Sequence, residues 1–273
     1  MSANAKLQAP IGERIWQRLS PAQRLSRFAF YLLAVAAIVW SLRRIEIIPE
    51  FLYDAPQQTW DLFQRMWPMD WAYYPMGVHG ALMETFHIAT LGTLLALILG
   101  LPVALLAAKN ITKFKTLNWI AQFILVSSRS VNSLIWALLF VAIFGPGAIA
   151  GVLAIGFRSI GFVGKLLAEA IEEARPGPIE ALTSTGASPA SVLGKGYWPQ
   201  VEPSFWSVAL FRWDINIRES AILGLVGGGG IGVALDSALN NLSWDQVGLI
   251  LFIIFAIVIV TEFFTSYVRG KII

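Results

Sequence analysis

The chain alternates long apolar segments with short polar ones. A membrane-spanning helix needs about 20 mostly apolar residues to cross roughly 30 Å of hydrocarbon, and six segments approach or exceed that length. The predicted spans are Phe28 to Leu42, Ala81 to Ala108, Trp119 to Phe144, Gly147 to Leu167, Pro203 to Val226 and Gln246 to Val268. The pattern therefore predicts an all-α integral membrane protein with about six transmembrane helices.

Composition supports residence in a bilayer. Of the 273 residues, 56% are hydrophobic and only 14% are charged, whereas about a quarter of an ordinary soluble domain is charged. The chain has no cysteine, which excludes thiol catalysis, disulfides and cysteine-ligated metal. A net charge of +3 gives no reason to expect a nucleic-acid partner. Membrane lipid is the partner that this composition predicts.

The positions of lysine and arginine predict the orientation in the membrane. With a cytoplasmic N-terminus, the outside segments hold only Arg43, Arg44 and Arg65. The inside segments then collect Lys6, Arg14, Arg18, Arg24, Arg27, Lys109, Lys113, Lys115, Lys165, Arg175, Lys195, Arg269 and Lys271. Cytoplasmic loops carry an excess of basic residues, so both termini are predicted to be cytoplasmic.

Three regions follow from these spans. Residues 1–27 are predicted to be a cytoplasmic N-terminal segment, and residues 28–80 the first span with an extracytoplasmic loop. We expect the first span to be a retained anchor, because no convincing cleavage site follows it. The acidic segment from Glu46 to Asp70 is predicted to be the loop. Its candidates for an aromatic belt at the headgroup level are Trp60, Trp67, Trp71, Tyr73 and Tyr74. Residues 81–273 form the predicted core.

One long inside loop, residues 168–202, separates the fourth span from the fifth. Pro176, Gly177 and Pro178 end the incoming helix, a short helix follows over Glu180 to Thr185, and Gly186 turns the chain into a second short helix. The loop is predicted to be a helix-turn-helix projection into the cytoplasm. By composition alone, an amphipathic loop lying on the membrane surface is an equal alternative.

The spacing of residues in this loop resembles a known signature. Glu180 with Ala181, then Gly186 and Pro199, are similar to the E-A-A…G…L-P pattern of ATP-binding-cassette importer permeases. The resemblance implies a coupling helix that enters a groove of the ATPase subunit, with Glu180, Ala181 and Gly186 as contact and turn residues. The pattern is not complete, since Leu182 replaces the second alanine. Gly196 and Trp198 stand where Ile and Leu are usual.

A narrower resemblance covers most of the chain from Ala81 onward. The phrases GTLLALILGLPVALLAAKN, IGFVGKLLAEAIEE…GPIEAL and INIRESAILGLVGGGGIG are similar to the phosphonate and phosphite branch of these permeases. The resemblance implies a type I importer permease in the bacterial inner membrane that carries a phosphonate, phosphite or hypophosphite. It also implies a second permease chain (the same or a paralogue), two ATP-binding subunits and an extracytoplasmic binding protein.

The chain itself is not expected to hydrolyse ATP. It has no G-x-x-x-x-G-K-[ST] sequence, so ATP and Mg would be used by the partner ATPase. No cofactor or metal is expected in this chain. The pair His79 and His87, with Glu84 between them, is more simply read as ordinary interfacial residues, because eight residues separate the two histidines.

Four arginines fall within predicted spans, namely Arg129, Arg158, Arg212 and Arg218. Each costs on the order of 3 kcal/mol at a bilayer centre on insertion scales, so each needs a reason. One interpretation is a cationic substrate pathway, because a guanidinium group binds phosphorus oxyanions through two hydrogen bonds. Ser128, beside Arg129, and Asn216 would lie in the same pathway.

The other interpretation is pairing with acids. Asp214 and Arg218 are four residues apart on one helix, and Arg212 and Glu219 are seven apart and share a face. Arg129 and Arg158 have no acidic residue within one turn, which makes them the stronger candidates for contact with substrate.

Gly227, Gly228, Gly229 and Gly230 end the fifth span. Together with Gly232 they match G-x-G-x-x-G, but the run follows an apolar helix and lacks a βαβ context, so a dinucleotide site is not expected. We expect a tight turn that belongs to an outer gate or to a docking surface for the binding protein. The G-x-x-x-G spacings Gly147–Gly151 and Gly224–Gly228 are compatible with close helix contact.

Two other functions stay open at this point. The same architecture could carry methionine or another amino acid. A stand-alone channel or secondary transporter would work without an ATPase, and an integral membrane enzyme is disfavoured because the sequence has no evident catalytic cluster.

Overall fold

The structure is a computed structural model that describes residues 21–45 and 48–272. Residues 1–20 of the predicted N-terminal segment, including Lys6, Arg14 and Arg18, lie outside the described residues, as does Glu46. The described part contains helices and no strands. It divides into a first unit that ends at Thr59 and a second that begins at Trp60.

The first unit contains helix α1, Pro21–Arg44, which includes the first predicted span. Its described side chains are almost all exposed, and these include Phe30, Leu33, Ile38 and Trp40. An apolar helix without a protein cover fits a position surrounded by lipid. The prediction of a membrane span here is supported by its length and apolar composition.

The segment predicted to be an extracytoplasmic loop is helical. Helix α2 covers Pro49–Met66 and has no buried residue. Glu50, Asp54 and Asp61 are spaced 4 and 7 residues apart and share one face, and Leu52 and Phe63 lie on the opposite face. The segment predicted to be an extracytoplasmic loop therefore contains a helix that was not predicted, because Pro56 and the aromatic residues obscure its 3.6-residue periodicity. Its extracytoplasmic position stays a prediction.

The second unit contains nine complete helices among the described residues, and four of them have 25 residues or more. After one 3₁₀ turn and one π turn over residues 71–78, α3 covers His79–Ala107. The others are α4 (Lys115–Ser130), α5 (Ser133–Phe144), α6 (Ala148–Glu172), α7 (Pro176–Ser184), α8 (Pro189–Val192), α9 (Trp198–Leu223), α10 (Ile231–Asn240) and α11 (Trp244–Ile272). Helix α10 was not predicted; it is a short helix between the glycine run and the last span.

Helix α6 is the centre of this unit and packs against α3, α4, α5 and α9. Glycines make the close approaches possible. A Cβ atom at Gly92 on α3 would lie 2.7 Å from Ile155 Cγ2, and one at Gly161 would lie 2.8 Å from the Arg129 backbone N of α4. Small residues at helix crossings are the usual means of packing in membranes, where lipid is as apolar as the core.

The third predicted span is broken. Helices α4 and α5 meet at an angle of 91°, so Trp119 to Phe144 is not one continuous helix. Val131 and Asn132 adopt extended backbone angles, and the Asn132 side chain accepts a hydrogen bond from Leu134 N, which caps α5. Within residues 21–45 and 48–272, five segments are long and apolar enough to span a membrane, and the bent pair would make a sixth. The prediction of about six spans is therefore confirmed.

The predicted helix-turn-helix loop is present. Helix α7 ends at Ser184, Gly186 has a φ of 72°, and α8 follows, capped by the Ser188 hydroxyl, which accepts from Ser191 N at 3.3 Å. Only glycine adopts this left-handed conformation without strain, which explains the residue at the turn. A π turn over Leu193–Tyr197 then joins α8 to α9.

Candidate functional site

The loop between α6 and α9 presents a free surface on α7. Glu180, Ala181 and Gly186 are all exposed. The opposite side of α7 faces the π turn Leu193–Tyr197, which precedes α9. There Leu182 Cδ1 lies 3.3 Å from the position that a Cβ of Gly196 would take. Leu182 and Gly196, which both differ from the permease signature, are therefore neighbours. The small Gly196 leaves room for the larger Leu182.

Hydrogen bonds hold this loop at its base. Arg175 N donates to Gln200 Oε1 at 2.9 Å, and Gln200 Nε2 donates to Gly196 O at 2.7 Å. At the turn, Gly186 N donates to Thr183 O at 3.0 Å. Hydrogen bonds therefore fix the loop to the segments that lead to α6 and α9. Its predicted contact residues, Glu180, Ala181 and Gly186, are exposed.

The arginines predicted within the spans occupy three different environments. Arg212 on α9 is only 3% exposed. Its Nη2 lies 3.3 Å from Glu219 Oε2 on the same helix, its Nε donates to Ser159 Oγ at 2.8 Å, and its guanidinium lies 5.4 Å from the Phe162 ring centre. The pairing of Arg212 with Glu219, one of the two interpretations, is present in the structure.

Arg158 on α6 is also paired, contrary to expectation. Its Nη1 bonds to Glu219 Oε1 across the α6–α9 contact. The sequence showed no acid within one turn of Arg158, but Glu219 comes from a different helix, 61 residues away. Glu219 therefore bridges two guanidinium groups, and this three-residue set is called the bridged cluster below.

A line of hydrogen bonds extends the bridged cluster to α3. Ser159 Oγ donates to Asn216 Oδ1 at 3.2 Å, Asn216 Nδ2 donates to Thr93 Oγ1 at 2.7 Å, and Thr93 Oγ1 donates to Ala89 O at 2.6 Å. Asn216 is fully buried in this line. Ser159 and Thr93 were not among the predicted site residues, although isolated small polar residues in apolar spans were a signal that could have identified them.

Arg218 forms a separate pair on another face of α9. It bonds to Asp214 within the helix, as the four-residue spacing predicted. The Arg218 side chain is 40% exposed and that of Asp214 only 6%. Asp214 Oδ1 and Arg218 Nε are buried without a hydrogen-bond partner in the described part of the chain.

Arg129 lies in the last turn of α4, at the break before α5, and is exposed. No ion pair involves it among the described residues. It lines a cavity of about 160 Å³ with Lys109, Gln122, Lys165 and Glu172. Its neighbour Ser128 connects α4 to α6, since its hydroxyl bonds to Phe157 O and accepts from Gly161 N at 3.1 Å. Both Ser128 bonds are thus used in helix packing.

The glycine run makes the predicted turn and the predicted close contacts. Gly227, Gly229 and Gly230 have φ values of 87°, 81° and 75°. Gly147 N donates to Gly227 O at 2.9 Å, and a Cβ at Gly151 would clash with Gly228 O.

Gly228, Gly229 and Gly230 are buried under the starts of α3 and α6. A docking surface for the binding protein stays a prediction, in which exposed residues beside these buried glycines would provide the contacts. A role in an outer gate stays a prediction.

The fold and the site together define the class of protein. The chain is a multi-pass helical membrane protein with a charged cluster between its core helices. An exposed loop joins the two helices that carry this cluster. Residues 100–272 match the family described as "Binding-protein-dependent transport system inner membrane component". The chain belongs to this family of permeases, which are transport subunits and not catalysts.

Two curated relatives share the family. The phosphite transport system permease protein PtxC of Stutzerimonas stutzeri is 39% identical over 202 residues, 74% of this chain and 73% of that protein. The phosphate-import permease protein PhnE of Mycolicibacterium smegmatis is 34% identical over 250 residues, 92% of this chain. The match spans only 47%, about half, of that relative's length. The resemblance to phosphonate and phosphite permeases is confirmed.

Among solved structures, a chain of the MetNI methionine ABC transporter, in inward-facing conformations, has the same fold. The TM-score is 0.63 at 20% sequence identity, over 75% of this chain and all of the other. At this identity the likeness concerns the fold alone. The predicted type I importer permease architecture is confirmed.

Proposed function

We propose that this chain is the membrane-spanning subunit of an importer for a small phosphorus oxyanion, such as a phosphonate, phosphite or hypophosphite. The observation that carries the proposal is the bridged cluster, which places two guanidinium groups against one carboxylate between core helices. A net positive site at membrane depth is costly and attracts anions. Relatives named for phosphite and phosphate transport support the same cargo class.

The partners in this proposal are a second permease chain, two ATP-binding subunits and an extracytoplasmic binding protein. Each permease chain has one α7 loop. Two ATPase subunits therefore need two permease chains if each subunit binds one loop. ATP and Mg are used by the ATPase partner, and this chain contributes no cofactor site. The binding protein delivers cargo on the side of the glycine run, and both chain termini are cytoplasmic in the bacterial inner membrane, in accord with the distribution of lysine and arginine.

The position of the loop suggests how ATP-driven motion reaches the pathway. Helix α7 lies between α6, which carries Arg158, and α9, which carries Arg212 and Glu219. A partner that pushes on Glu180 and Ala181 therefore acts on the two helices that the bridged cluster joins. Arg129 and Arg218, which both have exposed side chains, are further candidates for the pathway wall.

The decisive experiment for cargo uses the chain purified with its native partners in proteoliposomes. Phosphite, hypophosphite, a phosphonate and methionine are each presented on the binding protein, and the ATP hydrolysis rate is measured. We expect stimulation by at least one phosphorus oxyanion and none by methionine. Stimulation by methionine alone would overturn the cargo class, and uptake without any ATPase would indicate a stand-alone transporter.

A second experiment tests the coupling loop. Glu180→Ala and Gly186→Arg are expected to weaken ATPase assembly, the first by removing an exposed contact and the second by straining a turn with a φ of 72°. Co-purification of the ATPase subunit measures the loss. Gly177→Ala, at an open position in the first turn of α7, is the control. Full assembly and coupling in both test variants would exclude the proposed role.

A further inference from the structure

The bridged cluster has one more cation than its carboxylate can neutralise. Arg212 is fixed, because it is almost completely buried and bonds to both Ser159 and Glu219. Arg158 is different: its side chain is 28% exposed, and its Nε is buried without a hydrogen-bond partner in the described part of the chain. Arg158 is therefore the cation of the cluster that a ligand from outside can reach.

The exposed part of Arg158 does not face lipid. Arg158 lies ten residues after the start of α6, which at 1.5 Å per residue is about 15 Å along a helix of 25 residues. A guanidinium group at this depth is stable only toward protein or a water-filled cavity. The face of α6 that carries Arg158 thus borders the aqueous pathway or the second permease chain.

Glu219 occupies the hydrogen-bonding fork that an oxyanion would use. A guanidinium group binds carboxylate and phosphorus oxyanions through the same planar pairs of N–H groups. Two arginines without Glu219 would hold a divalent oxyanion strongly, and a site that holds its cargo strongly releases it slowly. A carboxylate attached to the protein weakens that binding because the cargo must displace it.

We propose that Glu219 is a tethered counter-ion, which binds Arg158 when the site is empty and is displaced from it by the transported oxyanion. This inference rests on the proposed function, because it names the residue that sets how tightly the pathway holds its cargo. The exchange also connects to the loop: α6 and α9 flank α7, so a shift of one helix against the other lengthens the Arg158–Glu219 contact and frees Arg158 for the anion.

The test is Glu219→Gln in the chain reconstituted with its native partners. Phosphite and inorganic phosphate binding is measured on transporter in nanodiscs without the binding protein, and phosphite uptake is measured in proteoliposomes with it. Because the competing charge is gone, we expect the half-saturating anion concentration to fall at least tenfold. We expect uptake at saturation to fall several-fold because release becomes slower.

Glu202→Gln is the matched control, since it makes the same substitution on the same helix at an exposed position without an ion pair in the described residues. Glu202→Gln should change neither the half-saturating anion concentration nor the uptake at saturation. Unchanged or weaker anion binding in Glu219→Gln, while Glu202→Gln equals the wild type, would overturn the counter-ion role.

Three further outcomes are decisive. If Glu219→Gln does not assemble, Glu219→Asp is measured instead; its shorter side chain retains the charge but loses reach, so binding should tighten by a smaller factor, and binding equal to the wild type or weaker refutes the inference. If wild-type transporter responds to phosphite but Glu219→Gln does not bind it more tightly, only the counter-ion inference fails. If no phosphorus oxyanion stimulates the wild type and methionine does, the proposed function fails as well.

Discussion

Helix α9 carries two ion pairs that differ in almost every respect. Arg212 and Glu219 face α6, are nearly buried, and share their charges with Arg158 and Ser159. Asp214 and Arg218 lie on another face, bond only to each other within the described part of the chain, and leave Arg218 substantially exposed. One pair belongs to the contact between helices, and the other neutralises charge within a single helix.

The difference shows that intramembrane charges serve separate purposes on the same helix. An i,i+4 pair forms from local geometry alone and lowers the cost of placing both charges in the membrane. A pair that recruits a third charge from another helix depends on how the helices pack. Substitutions should therefore affect the bridged cluster more strongly than the local pair.

The largest effect is expected for Arg212→Gln. The change removes the nearly buried guanidinium group together with its hydrogen bonds to Ser159 and Glu219. A hydrogen bond to a charged group contributes about 1.5–3 kcal/mol, so we expect a total loss of about 3–5 kcal/mol. Thermal unfolding of the purified chain, followed by tryptophan fluorescence, measures the loss. A midpoint equal to that of wild type would show that Arg212 is not part of the packing.

A smaller loss is expected for Arg218→Gln. Here the buried Asp214 carboxylate is left unpaired, which costs about 1–3 kcal/mol. The reciprocal Asp214→Asn should cost less, because Arg218 is 40% exposed and can reach water. The thermal unfolding midpoints of Arg218→Gln and Asp214→Asn are compared under the same detergent and salt conditions. An equal or larger loss for Asp214→Asn would contradict the burial difference between the two residues.

Asn216→Ala tests the line of hydrogen bonds that leads from the bridged cluster to α3. The change removes the bonds to Ser159 and Thr93, and we expect a loss of about 1–2 kcal/mol in unfolding free energy. Thr90→Val is a suitable comparison, because Thr90 bonds to the Trp213 indole on an exposed surface. A loss no greater than that of Thr90→Val would show that the buried line adds little.

The smallest effect is expected when both members of the local pair are neutralised. Asp214→Asn combined with Arg218→Gln leaves no uncompensated charge, so stability should stay within about 1 kcal/mol of wild type. The corresponding double change Arg212→Gln with Glu219→Gln should remain destabilising, because Arg158 then has no counter-ion. A double-mutant cycle for each pair gives the two interaction energies. Equal interaction energies for Arg212–Glu219 and Asp214–Arg218 would show that the contact between helices does not make the first pair stronger.

The sequence was informative where a short pattern has one structural solution. The Pro-Gly-Pro break, the short helix and the turn at Gly186 were predicted and are present, because proline ends helices and glycine adopts positive φ. The broken third span was missed because the polar residues from Ser127 to Ser133 fit the polar face of one continuous helix as well as they fit a bend. Helix α2 was missed since proline and aromatic content obscured its amphipathic period.

The sequence by itself determined membrane residence, the number of spans and the Asp214–Arg218 pair, because apolar length and four-residue spacing are local properties of the chain. Only the tertiary structure decided that Arg158 has a counter-ion. Arg158 and Glu219 are 61 residues apart and meet because α6 packs against α9, where Ser159 bonds to Arg212 and Asn216 and the Phe162 ring lies against that of Phe211. Contacts between distant segments depend on the packing of whole helices, and no local pattern around Arg158 encodes them.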